Sequence, residues 1–262
     1  MIDEIICIGT SFTEGHGLNP HSEDKISNGA VEWYRKNKDI IIKDMKEYSW
    51  PSILEEESNI KTRNLGKCGS SIEYLMRNVE EIIETEDCSN KFFILEYSSW
   101  GRSELWDSCR NNWLIANWGH TNGIEPSDGY STMLTTNYNG GEQLSKAHIS
   151  IYNIFLNNFF NEHEFLIQRD RNFLNLLYKL NSLKIKYQVL KLEGTYWTGL
   201  ENSLFNYKNI FKQDLWGYVN KKGLDLKTET NGEVDDAHPS IKGHNHMGKL
   251  IYKKIKTKLN KL

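Results

Sequence analysis

The chain has 262 residues, 38% of them apolar and 26% charged, with a formal net charge of −3. That length holds one α/β domain with a buried core, or two small domains. The near-balanced charge gives no electrostatic reason to expect nucleic acid or an anionic membrane as partner, and no stretch is apolar for long enough to cross a bilayer.

Ile5-Ile6-Cys7-Ile8 is a continuous apolar run closed by Gly9, which predicts a parallel strand buried on both faces. Thr10 to Asp39 is rich in Gly, Asn, Ser and His and reads as a long loop. Trp50-Pro51 ahead of Ser52 to Glu57 predicts a helix with Pro in its first turn. Ile60 to Leu65 forms a second strand candidate, stopped by Gly66. Ser70-Ser71-Ile72-Glu73 then opens an amphipathic helix whose stripe is Ile72, Leu75, Met76, Val79, Ile82 and Ile83. Phe92 to Tyr97 is the third strand. From Ser103 to Gly141 no period is found, although Trp106, Trp113, Trp118, Tyr130 and Tyr138 argue against disorder. Helical spacing returns between Glu142 and Leu183, Tyr187 to Leu192 is a fourth strand, and a second irregular stretch precedes a helix from about Ser240. Strands alternating with helices imply βαβ units and a parallel sheet. No repeat or low-complexity linker divides the chain, so the expectation is one domain over 1–262 with an aromatic-rich insertion at about 103–141.

Cysteines stand at 7, 68, 88 and 109, without the spacing of a metal finger or a disulfide framework. The acidic start Met1-Ile2-Asp3-Glu4 does not read as a signal peptide. The expected setting is therefore cytoplasmic as synthesised, with release by lysis or within a virus particle left open.

Three segments carry residue types suited to chemistry. Gly9-Thr10-Ser11-Phe12-Thr13-Glu14-Gly15 lies at the carboxyl end of the first strand, the edge where open α/β sheets gather ligands. Ser11 there either points its hydroxyl into the crevice, with its N–H as an oxyanion donor, or caps the next helix together with Thr13. Val234-Asp235-Asp236-Ala237-His238-Pro239-Ser240 places an Asp three residues before a His, so the carboxylate can reach Nδ1–H and leave Nε2 to take a proton. Asn64-Leu65-Gly66-Lys67-Cys68-Gly69-Ser70 leads from the second strand into a helix. By itself it reads best as a glycine turn, although Gly69 permits close backbone approach.

Together, in this order and placement, the three segments resemble the blocks of the SGNH (GDSL-like) hydrolase family. The resemblance implies a three-layer α/β/α, flavodoxin-like sandwich around a central parallel sheet, with large loop insertions. It also implies a serine esterase or deacetylase with Ser11 as nucleophile, His238 as base and acid, and Asp235 as orienter, Asp236 being the runner-up. Ser11 N–H and Gly69 N–H would receive the oxyanion. Two positions depart from the family pattern. Thr10 replaces the Asp before the serine. The third block, which normally supplies an Asn, reads Glu96-Tyr97-Ser98-Ser99-Trp100-Gly101-Arg102, leaving Ser99 and Arg102 as candidate donors. The run from Ser98 to Glu104 also resembles SGNH-type proteins encoded by bacterial viruses.

His238, His244 and His246 do not share one helix face, so no metal is expected. The glycines after the first strand lack the spacing of a phosphate or dinucleotide loop, and no cofactor is expected. The loop aromatics suit either sugar faces or a small core of their own. If Trp100 and Trp106 line the site, the substrate is an acylated carbohydrate or another small polar ester. The rival reading is an SGNH-fold protein that binds glycan, or serves in a virion, without turnover.

Overall fold

The computed structural model describes residues 1–15, 45–67, 70–97, 102–107, 112–117, 162–192, 209–225 and 238–260, with backbone alone for 102–107 and 112–117. In chain order its elements are β1 (Glu4–Gly9), α1 (Ser11–Glu14), α2 (Trp50–Ser58), β2 (Lys61–Gly66), α3 (Ile72–Thr85), β3 (Lys91–Tyr97), β4 (Arg102–Asp107), β5 (Asn112–Asn117), α4 (Glu162–Ser182), β6 (Lys186–Lys191), β7 (Ile210–Asp214), α5 (Leu215–Lys221) and α6 (Ile241–Leu259).

Five strands form one sheet in the order β2-β1-β3-β6-β7, and every neighbouring pair runs parallel. Chain order reverses on either side of β1, which creates the switch point where α/β sheets open a crevice beyond the carboxyl ends of their strands. The central strands are apolar on both faces because helices cover both. Ile5 and Cys7 of β1, Phe92 and Ile94 of β3 and Leu190 of β6 face a layer of α2, α5 and α6, with Trp50, Leu54, Leu215, Met247, Ile251 and Ile255 as its core. The alternate residues Ile6, Ile8, Phe93, Leu95, Tyr97 and Val189 face α3 and α4, through Leu75, Val79, Phe173 and Leu177. At roughly 1.5–3 kcal/mol per fully buried large apolar side chain, these two layers are the main source of cohesion. The sandwich expected from the sequence is therefore present.

Helix ends follow local chemistry. Ser71 caps α3 by accepting from Tyr74 N–H, and Ser240 caps α6 by accepting from Gly243 N–H. Pro51 occupies the first turn of α2, where its missing N–H removes nothing.

Two stretches read as irregular from the sequence contain regular structure. Within 103–141, β4 and β5 form an antiparallel pair with Trp106 opposite Trp113. Their one-residue alternation is short and interrupted by polar residues, so no period shows in a window of helical length. After Leu192 the chain forms β7 and then α5. Ile210-Phe211-Lys212-Gln213-Asp214 is a short strand at the edge of the described sheet, paired with β6. The expected helical stretch 142–161 lies outside the described residues. Among the described residues, no helix is long and apolar enough to cross a membrane.

Candidate active site

β1 ends at Gly9, and the chain turns directly into the single helical turn of α1. Ser11 is its first residue, so no carbonyl one turn earlier within α1 accepts the Ser11 N–H. The capping alternative is not what forms. Thr10 is the N-cap and its side chain makes no capping bond. Ser11 Oγ lies 2.8 Å from His238 Nε2. Thr13 Oγ1 turns inward to Glu96 Oε2 at 2.6 Å. With the ring proton on Nδ1, Nε2 is the acceptor for the Ser11 hydroxyl, which is the arrangement a general base requires.

His238 reaches this position from the far end of the chain. Pro239 bridges Asp225, and Ser240 donates to Leu224 O through both its N–H and its Oγ, each at 2.9 Å. The backbone immediately after His238 is thus pinned to the end of the segment after α5. Phe12, fully buried, lies beside the ring with centroids 5.6 Å apart, and also stacks on Trp216 at 5.3 Å.

The turn carrying Ser11 is held from both flanking strands. From β2, Asn64 Nδ2 donates to Thr13 O at 2.8 Å, and its Oδ1 accepts from Gly66 N–H at 2.9 Å. Gly66 packs against the α1 backbone so tightly that a Cβ would meet Thr13 C at 2.6 Å. Lys67 N–H and Ser70 Oγ both donate to Gly9 O, at 3.0 and 2.9 Å. From β3, the Glu96 carboxylate accepts from Thr10 N–H at 3.0 Å, from Thr10 Oγ1 at 2.5 Å and from Thr13 Oγ1. Glu96 is 1% exposed.

Neighbouring titratable groups are set aside from the chemistry by burial. Burial, then the nearby Glu96, pushes the Cys7 thiol up, so it stays protonated and is no rival nucleophile. His244 is also fully buried, and its Nδ1 accepts from Trp50 N–H at 3.1 Å. Burial first, and His238 second, lower its pKa to about 3. It is therefore a neutral element of the α2–α6 contact. Among the described residues no group of three His, Cys, Asp or Glu side chains could hold a metal ion.

Of the residues singled out from the sequence, Ser11 and His238 are brought into contact. Arg102 and Trp106 belong to β4, described by backbone alone. Gly69, Ser99, Trp100, Asp235 and Asp236 lie outside the described residues. The structural role of Glu96 was not anticipated. Its signal in the sequence was a carboxylate inside an otherwise apolar strand, Phe92 to Tyr97, which must find donors if it is to be buried.

No profile of a known protein family matches the chain, and no curated protein matches it by sequence. Several solved structures resemble it in layout. A protein assigned to the lipolytic G-D-S-L family from Desulfitobacterium hafniense DCB-2 aligns over 96% of this chain and 98% of its own, at 15% identity and a TM-score of 0.48. A lipolytic G-D-S-L family member from Veillonella parvula DSM 2008 aligns over 97% and 98%, at 12% and 0.45. The acetyl xylan esterase Est2A from Butyrivibrio proteoclasticus aligns over 98% of this chain and 64% of its own, at 11% and 0.43. All three scores lie below 0.5, and the chemistry of the site rests on Ser11 and His238 themselves.

Proposed function

We propose that the protein is a serine ester hydrolase of SGNH type that removes a small acyl group, acetyl above all, from a carbohydrate or similar polar alcohol. The observation that carries this reading is the 2.8 Å contact between Ser11 Oγ and His238 Nε2, located where β1 delivers the chain to the crevice at the switch point of the sheet.

Ser11 Oγ would attack the ester carbonyl as His238 Nε2 takes its proton, and the tetrahedral intermediate would collapse as His238 returns that proton to the departing alcohol. Water, deprotonated by the same imidazole, would then release the acid and restore the serine. Asp235, three residues before His238, is the proposed orienter of Nδ1–H, with Asp236 as the alternative. The proposed oxyanion donors are Ser11 N–H and Gly69 N–H, joined by Ser99 or Arg102 in place of the usual Asn. Trp100 and Trp106 are proposed to meet the sugar face of the substrate.

The test is intact-mass spectrometry after treatment with a serine-reactive fluorophosphonate, on the native protein and on Ser11→Ala. The expected result is a single adduct on the native protein and none on the variant. A folded native protein that takes no adduct would overturn the catalytic reading and leave a binding protein with this fold.

A further inference from the structure

The sequence has Thr10 where the family pattern places an acidic residue before the nucleophile, and it has a glutamate buried near the carboxyl end of the third strand. The structure joins these two oddities. Thr10 offers two donors, its N–H and its hydroxyl, and both end on the same oxygen of Glu96. Thr13, one helical turn on, ends on the other oxygen. Glu96 comes from β3, the strand beside β1, and is 86 residues away from Thr10 in sequence. Gly9 has no room for a side chain because a Cβ would stand 2.5 Å from Glu96 Cβ.

We infer that Glu96 is the positioning residue of the nucleophile turn, acting through Thr10 and Thr13 to hold Ser11 Oγ against His238 and to fix the direction of the Ser11 N–H. The inference rests on the esterase reading above. The physical reason is that α1 is one turn long, with too few internal hydrogen bonds to hold its own geometry. Thr10 and Thr13 bracket Ser11 on both sides, so anchoring both to one rigid carboxylate removes the freedom of the residue between them. The carboxylate sits on a central strand rather than on a loop, and therefore moves only if the sheet moves. Displacements of about 1 Å in reacting groups cost on the order of a hundredfold in rate.

Glu96→Gln keeps the volume and an oxygen for the two Thr10 donors, and its amide can donate to Thr13 Oγ1, which then turns to accept. Glu96→Leu removes every acceptor. Thr13→Val removes one hydroxyl at nearly constant shape. The experiment measures the rate of fluorophosphonate labelling, and kcat and KM on 4-nitrophenyl acetate, for the native protein and these three variants, with thermal melting of each. Glu96→Leu is expected to lose about a hundredfold in kcat and in labelling rate with little change in KM. Thr13→Val is expected to lose about tenfold, and Glu96→Gln to keep most of the native rate. Glue without a positioning role would lower the melting temperature and leave the rate per folded molecule unchanged. If Glu96→Leu folds and labels at the native rate, the inference is overturned. If Glu96→Leu does not fold, an unaltered rate in Thr13→Val overturns it instead. A native protein that is not labelled at Ser11 at all defeats the esterase reading first, and is recognised before any variant is compared.

Discussion

The two ends of one parallel sheet handle charge in opposite ways. At the amino end, Arg63 of β2 reaches both Glu4 of β1 and Glu86 beyond α3, each at 2.8 Å. Lys91 at the start of β3 reaches the same two carboxylates at 2.8 and 2.7 Å. Each cation serves two anions, and each anion two cations. Hydrogen bonds from Arg63 and then Lys91 hold Glu86 down to about 2. At the carboxyl end, the Glu96 carboxylate is met by two hydroxyls and a backbone amide, and a serine and a histidine face each other beside it. The amino end shares solvent-accessible charge among neighbours, so each member is dispensable. The carboxyl end uses buried hydrogen bonds to fix directions, so each member is specific. Cohesion and chemistry are separated by the length of a strand.

That contrast can be broken most severely at the carboxyl end. His238→Ala is expected to lower ester hydrolysis by about 10⁴-fold or more, to background, while melting stays near native. Asp235→Asn should lose about 10²–10⁴-fold and Asp236→Asn less. Initial rates check both, and the reverse ranking exchanges the roles of the two aspartates. Next in size is Gly9→Ala, whose new methyl has no space between Thr13 and Glu96. It should cost about 1–3 kcal/mol in urea unfolding, and lower activity in the molecules that remain folded.

A smaller effect comes from His244. Its folded pKa of about 3 lies below the value of an unfolded histidine, so the unfolded chain binds the extra proton first as pH falls. Stability is then complete above about pH 6.5 and is lost as pH falls toward 3, by at most about 1.4 kcal/mol per pH unit. Urea unfolding at a series of pH values should show a flatter slope for His244→Asn, which keeps an acceptor for Trp50 N–H. The smallest effect belongs to the amino end. Arg63→Met should cost about 1 kcal/mol or less, shrink further in high salt, and leave the catalytic rate untouched. The part of the network that depends on Glu86 is present above its unfolded pKa and fades as pH falls toward about 2.

The core strands were legible because their physics is local. Ile5 to Ile8 and Phe92 to Leu95 are apolar on both faces, and only a doubly covered strand makes sense of that. Ser71 and Ser240 announced their helices through capping chemistry that spans three residues. β7 was missed because an edge strand of five residues, two of them charged, carries almost no pattern. The serine and histidine could be picked out by type and placement. What held them could not: Thr10, Thr13 and Glu96 meet only after two strands pair, and nothing near residue 10 points to residue 96.

Ser11 and His238 stand 227 residues apart in sequence. At ordinary synthesis speeds of about 5–20 residues per second, the serine leaves the ribosome roughly 10–45 s before the histidine. β1 is an interior strand, paired with β2 on one side and β3 on the other, and the imidazole arrives just ahead of α6, after all five strands of the described sheet have been made. Throughout that interval the nascent chain carries Ser11 without its proposed base. Docking of α6, which brings His238 to Ser11, is then the moment at which the proposed reactivity is switched on.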